Sequence, residues 1–342
     1  MLVYKKAGGP ANKIKHLQGE TEMKKTVLFF VLVLAVVFSV ITGCKKNSSP
    51  SGPVATVTID YSALASVPSG TFTQTDGTNM FSHTISAFKM GKYQVTYNLW
   101  YTVYQWAIAN GYVFQDAGTE GSAGTAGAAP MALAQPVTTV NWRDVIVWCN
   151  AYSMKSGLTP VYYSNSGFNT IIKSSADGAY GSSINTTAGS FDNPYVNWSA
   201  NGYRLPTEGE YQYVASYQDG INWTPYDYAS GATAVYTNAA ATGLVAWYAA
   251  NCSSMQAVGG KTANALGIYD MSGNVWEWCF DWSGTYPTTA TTNYTGPASG
   301  SFRVERGGSY DYNADTLQVS YRFIGSPGNA FYDIGFRFAR TN

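Results

Sequence analysis

Apolar residues recur at helical spacing in two segments. In YNLWYTVYQWAIA, Tyr97–Ala109, they return every three or four positions. In NWRDVIVWCNAYSM, Asn141–Met154, the side chains of Val145, Trp148, Cys149 and Tyr152 share one face. A third, shorter helix is predicted over Thr207–Ala215. Leu205 and Pro206 precede it, and Thr207 with Glu210 forms a T-x-x-E capping box. Elsewhere the apolar runs are short and are interrupted by many of the chain's 35 glycines. Residues 117–129, AGTEGSAGTAGAA, lack the Gly-Lys-Ser/Thr ending of a phosphate loop and are expected to form a flexible excursion. The pattern predicts a few helices in a loop-rich body, with no internal repeat and no second linker.

The N-terminus has its own pattern. Lys24 and Lys25 precede an apolar run from Val27 to Ile41, shorter than the ~20 residues that span a bilayer. Small residues then lead to Cys44. Residues 23–43 therefore read as a signal peptide, and the junction resembles a bacterial lipoprotein cleavage site. The Cys44 thiol would carry lipid and become the mature N-terminus, anchoring the protein to a membrane at the bacterial cell surface, with the outer membrane expected. Residues 1–22 read as an upstream extension. Residues 44–56, polar and containing Pro and Ser, read as a tether, and 57–342 as one domain.

Removing residues 1–43 takes away six of the 20 basic residues and two of the 20 acidic ones, so the remainder is slightly acidic. It carries no electrostatic footprint for nucleic acid. Only 12% of the chain is charged, and Tyr alone occurs 27 times. Surfaces rich in Tyr, Ser, Gly and Asn are typical of binding faces, because Tyr presents a large area at low entropic cost. Beyond Cys44 there are Cys149, Cys252 and Cys279, compatible with one disulfide and a leftover thiol or with three free thiols.

Five segments then carry a resemblance. HTISAFKMGKYQVTY, QPVTTVNWRDVIVWCNAY, GYRLPTEGEYQYVA, NALGIYDMSGNVWEWCFDW and RVERGGSY…GFRFAR occur in this order. Together they resemble the formylglycine-generating-enzyme, or sulfatase-modifying-factor, family from about Val67 to Arg340. The resemblance implies an α+β body with the C-type-lectin fold of that family. It also implies possible enzymes. Sulfatase-modifying members rely on a cysteine pair between RGGS and GFR, but those positions fall here at about Tyr312 and Leu317, and no cysteine follows Cys279. Phe338 also stands where many relatives have Cys. Another branch holds iron with several histidines, whereas His83 is the single histidine after the leader. His83 is expected to be an ordinary surface or strand residue. The chemistry disfavours an enzyme.

A narrower resemblance concerns residues 306–340. Variable proteins of diversity-generating retroelements share the fold, and adenine-specific mutagenesis replaces their Asn-type codons between fixed positions. Here the fixed set reads Arg306, Gly307, Gly308, Ser309, Ala314, Val319, Arg322, Pro327, Ile334, Gly335, Phe336 and Arg337. Between them lie Asp311, Tyr312, Asp315, Thr316, Tyr321, Phe323, Ile324, Gly325, Ser326, Phe331, Tyr332 and Asp333, all side chains such mutagenesis yields. The resemblance implies an outward-pointing, exchangeable contact surface for a protein or other macromolecule on a host or neighbouring cell. It leaves no catalytic cofactor. Gly307 and Gly308 would make a tight turn, and Phe336 and Phe338 would anchor the returning strand. Finally, DMSGNVWE resembles a family calcium site. The carboxylates of Asp270 and Glu277, with the main-chain carbonyls of Gly273 and Val275, would hold a structural calcium or magnesium ion.

Overall fold

The computed structural model describes residues 59–131, 133–176 and 183–342. The residues read as upstream extension, signal peptide and tether, Cys44 among them, lie outside the described residues. The predicted helices form almost as read: α1 at Tyr97–Ala109, α2 at Trp142–Lys155 and α3 at Glu208–Ser216, joined by a short α4 at Ala239–Val245. Local chemistry sets their starts. Asn141 caps α2, with Asp144 closing a capping box, and Thr207 with Glu210 closes the box of α3. Trp100 of α1 stacks on Trp148 of α2 at 5.8 Å between centroids, and both side chains are fully buried. Each indole N–H finds a carbonyl, Ala117 for Trp100 and Trp100 for Trp148, so the burial leaves no donor unmet.

Two four-stranded sheets hold the body together. In the first, Ala339–Thr341 lies between Phe88–Gly91 and Tyr203–Arg204, with Leu64–Val67 at the edge. The C-terminal strand is thus paired on both sides, to strands from the start and the middle of the domain. The second runs Phe323–Gly325, Arg303–Arg306, Trp276–Trp282, Ile334–Gly335. Its central strand WEWCFDW is buried at every position. A strand covered on both faces needs apolar side chains on both, and its two acids must find internal partners. Glu277 pairs with Arg337, and Asp281 accepts from the Glu208 N–H at the start of α3.

Two expectations change. Residues 117–129 are tied down, because Thr119–Glu120 pairs with Val137–Thr138 and the buried Glu120 carboxylate accepts from the Met131 and Leu133 N–H groups. His83 is a strand residue but not a surface one: it is buried between Phe72 and Phe81. Its Nδ1 donates to Gln74 Oε1 at 2.6 Å and its Nε2 accepts from the Tyr294 N–H at 2.8 Å, the pattern of a neutral ring. Burial pushes its pKa down to about 4 against the pull of Glu210 and Glu208. Cys149, Cys252 and Cys279 are all free thiols.

Candidate functional site: the C-terminal face

Two buried arginines hold the ends of residues 306–337. Arg306 donates to Glu208 Oε1 at 2.6 Å, and its other terminal nitrogen reaches the carbonyls of Ser320 and Tyr321, both at 2.8 Å. The residue that opens the segment therefore also holds its middle. Arg337 forms a two-pronged pair with Glu277, at 2.7 Å on each prong, and donates to the carbonyls of Gly91 and Tyr269. Gly307 and Gly308 have φ of +98° and +76°, a region that favours glycine. A Cβ on Gly308 would sit 2.8 Å from Thr316 Oγ1. Between the arginines, Ser272 Oγ donates to the Leu317 carbonyl and the Val319 N–H donates to the Tyr228 carbonyl.

Burial divides the segment. No residue of the fixed set is exposed: Ala314 and Arg322 are half-buried and the other ten are buried. Phe336 and Phe338 are buried against Trp148, as their anchoring role requires. Of the intervening positions, Asp311, Tyr312, Asp315, Phe323, Ile324, Phe331 and Tyr332 are exposed, and Tyr321 and Ser326 are half-buried.

Three positions expected to point outward do not. Thr316 is buried, and its hydroxyl donates back to the Asn313 carbonyl. Asp333 is buried and accepts from Ser309 Oγ at 2.9 Å; burial raises its pKa despite that bond. Gly325 is buried in a strand, where a Cβ would fall 2.0 Å from Glu305 Oε1 and 2.7 Å from the Trp278 ring. Asp333 and Gly325 are fixed by residues far away in sequence and Thr316 by a local turn, and residue type alone discloses neither.

Five of the exposed side chains, Tyr312, Phe323, Ile324, Phe331 and Tyr332, line a cavity of about 310 Å³. Trp276, itself buried, is its organising ring. Phe323 stacks on it at 5.3 Å, Tyr312 meets it edge-on at 5.6 Å, and Tyr321 lies at 5.9 Å. Phe331 and Tyr332 also line it, and the Tyr332 hydroxyl donates to Asp311 Oδ2 at 2.7 Å. Glu305 also lines the cavity. It is 1% exposed, and neither carboxylate oxygen has a hydrogen-bond partner. Burial, with a contribution from the Asp333 charge, pushes its pKa up to about 8. Sequence reading gave neither Trp276 nor Glu305 a place in this face. The alternation in RVER puts Arg303 and Glu305 on the same side, but the terminal nitrogens of Arg303 donate to the carbonyls of Phe280 and Asp192.

The four residues read as metal ligands do converge, with one change of atom. Oxygens of Asp270, Gly273, Val275 and Glu277 all lie 3.1–3.3 Å from one point, the side-chain nitrogen of Gln94. At Asp270 it is the main-chain carbonyl that faces this point. The carboxylate turns away and accepts from the Gly259 N–H. The turn needs left-handed backbone at Asp270, Gly273 and Asn274, and a Cβ on Gly273 would fall 2.3 Å from the Trp247 carbonyl. An amide nitrogen has two protons for four acceptors. Three carbonyls and a carboxylate suit a hard cation in kind, although Arg337 already balances the Glu277 charge.

A sequence model of the family described as the sulfatase-modifying factor enzyme 1-like domain matches residues 52–342. The chain belongs to that family. The α+β body is accordingly the C-type-lectin fold of the formylglycine-generating enzymes. Among solved structures, the Treponema denticola variable protein 1 superimposes with a TM-score of 0.64 at 30% identity, covering 82% of this chain and 95% of that one. A chaperone protein, LppX, of Paenibacillus barcinonensis is 31% identical over 263 residues, 70% of this chain and 74% of the relative. The formylglycine-generating enzyme of Streptomyces coelicolor is 31% identical over 163 residues, 42% of this chain and 48% of the enzyme, so that match spans about half of the enzyme's length.

The burial division has a direct test in chemical denaturation. Phe331→Ser should change stability by no more than about 0.5 kcal/mol, as for other exposed positions. Gly325→Ala should cost about 1–3 kcal/mol, because its methyl must displace the Glu305 carboxylate or the Trp278 ring. Equal effects would show that the segment does not divide in this way.

Proposed function

We propose that this family member is a non-enzymatic binding protein displayed on the bacterial surface by lipid on Cys44. Its C-terminal face is the contact surface, diversified by a retroelement, and its partner is a protein or other macromolecule on a host or neighbouring cell. The observation that carries the reading is the coincidence of two partitions. Positions that mutagenesis would leave alone are buried or half-buried, while seven of the twelve it would change are exposed, five of them around one aromatic cavity. A surface built this way can exchange side chains at little cost to folding. Similarity to a variable protein of Treponema denticola over most of both chains supports the reading. Similarity to formylglycine-generating enzymes favours catalysis instead, but the thiols here are poorly suited to it. Burial raises the pKa of Cys149 and Cys279 well above the usual thiol range, whereas a reactive cysteine needs its thiolate.

DNA beside the gene should contain a near-copy of codons 306–340, with adenine-rich Asn-type codons at the exposed positions, and a reverse transcriptase gene. A complete genome with neither, or turnover of a cysteine-containing sulfatase peptide by the purified protein, would overturn the reading.

Display has its own check. Cells fed a labelled fatty acid should incorporate it into the parent protein and not into Cys44→Ser, which should leave the membrane fraction. Label retained by the variant would place the anchor elsewhere.

A structural calcium or magnesium ion completes the proposal: it would displace the Gln94 amide and take carbonyls from Asp270, Gly273 and Val275 and a carboxylate from Glu277. Chelation with EDTA should then lower the thermal midpoint, and excess calcium or magnesium should restore it. A midpoint indifferent to both would remove the ion.

A further inference from the structure

The cavity in the C-terminal face combines two features that point to one class of ligand. Its wall is aromatic: Trp276, Tyr312, Phe323, Phe331 and Tyr332 contribute rings. Its inner lining includes Glu305, a carboxyl with two unpartnered oxygens and almost no solvent. A buried carboxylate without donors is costly, so the empty site keeps this carboxyl mostly protonated near neutral pH; an arriving cation offsets that cost and lets the proton leave. Among the described residues, no Lys or Arg lies within ion-pair distance of Glu305, and Arg303 and Arg306 on the same strand are engaged elsewhere. The charge that does act on Glu305, Asp333, is acidic, and so is Asp311, bonded to Tyr332 of the lining. Gly325 keeps the carboxyl free of steric cover, since a Cβ there would fall on it. A volume of about 310 Å³ lies at the lower end for ligand pockets and suits one long side chain better than a whole cofactor.

We infer that this cavity receives one organic cation, the guanidinium or ammonium end of an arginine or lysine on the partner protein, with Glu305 as its counter-charge and the rings as its walls. The aromatic faces attract the cation directly, and desolvation strengthens that attraction. Arginine suits the site best, because its planar fork can stack on a ring while donating to both carboxyl oxygens. The inference deepens the reading of this face as the contact surface and rests on it. It adds that one contact is set by Glu305, which lies outside the exchanged positions. Partners could therefore differ around the rim while sharing a basic residue at the centre.

The probes are Nα-acetyl-arginine methylamide and Nα-acetyl-lysine methylamide, with the citrulline and norleucine analogues as neutral counterparts. Each is titrated into the full mature protein, and the indole N–H resonance of Trp276 is followed by NMR. The cationic probes should give saturable one-to-one shifts. The neutral analogues, the Glu305→Gln variant and Phe323→Ala should each weaken binding about tenfold or more, the loss expected for one charge-assisted contact. Glu305→Gln keeps the volume and removes the charge, and Phe323→Ala changes an exposed ring, so the two losses do not share a folding defect. Three results would each overturn the inference: neutral probes binding as well as cations, undiminished binding by Glu305→Gln, or no response at Trp276. None of them would touch the broader reading of the face, which stands or falls on the template sequence.

Discussion

Residues 306–337 depend on two buried ion pairs, Arg306 with Glu208 and Arg337 with Glu277. All four side chains are at most 2% exposed. Such pairs are not a simple surplus of stability, since desolvation takes back much of the attraction. Removing one partner, however, strands a charge and costs about 3–5 kcal/mol. Their effect here is positional. Glu208 is the first residue of α3, where the helix N-terminus favours a carboxylate, and it also accepts from the Tyr286 hydroxyl. Glu277 sits in the fully buried central strand. The segment is thus fastened at each end to elements that have no reason to move when its own surface changes.

Fastened ends alone would leave a loose middle. The reach of Arg306 to the carbonyls of Ser320 and Tyr321 prevents that, as do the bonds from Ser272 and Val319. These contacts are made to or from main-chain atoms of the segment, so they survive replacement of the side chains that carry those atoms. This is the physical reason the two partitions can coincide. A scaffold that grips the backbone leaves side chains free. Thr316, Gly325 and Asp333 mark where the scaffold grips through the side-chain position, and there exchange should be restricted.

What the sequence disclosed follows the range of the forces involved. Helices α1, α2 and α3 were legible because periodicity and capping boxes are local. Gly307-Gly308 was legible because a left-handed turn has few alternatives to glycine, and Phe336 and Phe338 because a short apolar strand must be buried. Most of what the sequence left undisclosed is tertiary. His83 is buried by strands that pair across the sheet, and Glu120 straps a loop thirteen residues away. Asp270 offers its carbonyl where its carboxylate was expected, because a φ of 54° turns the main chain inward. Glu305 gave no sign of its position, since being unpaired depends on Arg303 and Arg306 choosing other partners.

That last point bears on why this body would suit binding more than catalysis. A catalytic group must be held by neighbours that tune it, and the titratable groups best held here are committed to structure. His83 uses both ring nitrogens, Glu208 and Glu277 are occupied by arginines, and the buried thiols resist ionisation. Glu305 is the exception at the C-terminal face: a buried carboxyl that lines the cavity with no donor of its own. A group in that state stabilises whatever brings it a positive charge. Around it the exposed rings can change without disturbing the backbone beneath. A fixed electrostatic centre inside an exchangeable rim reconciles a constant mode of attachment with a variable choice of partner.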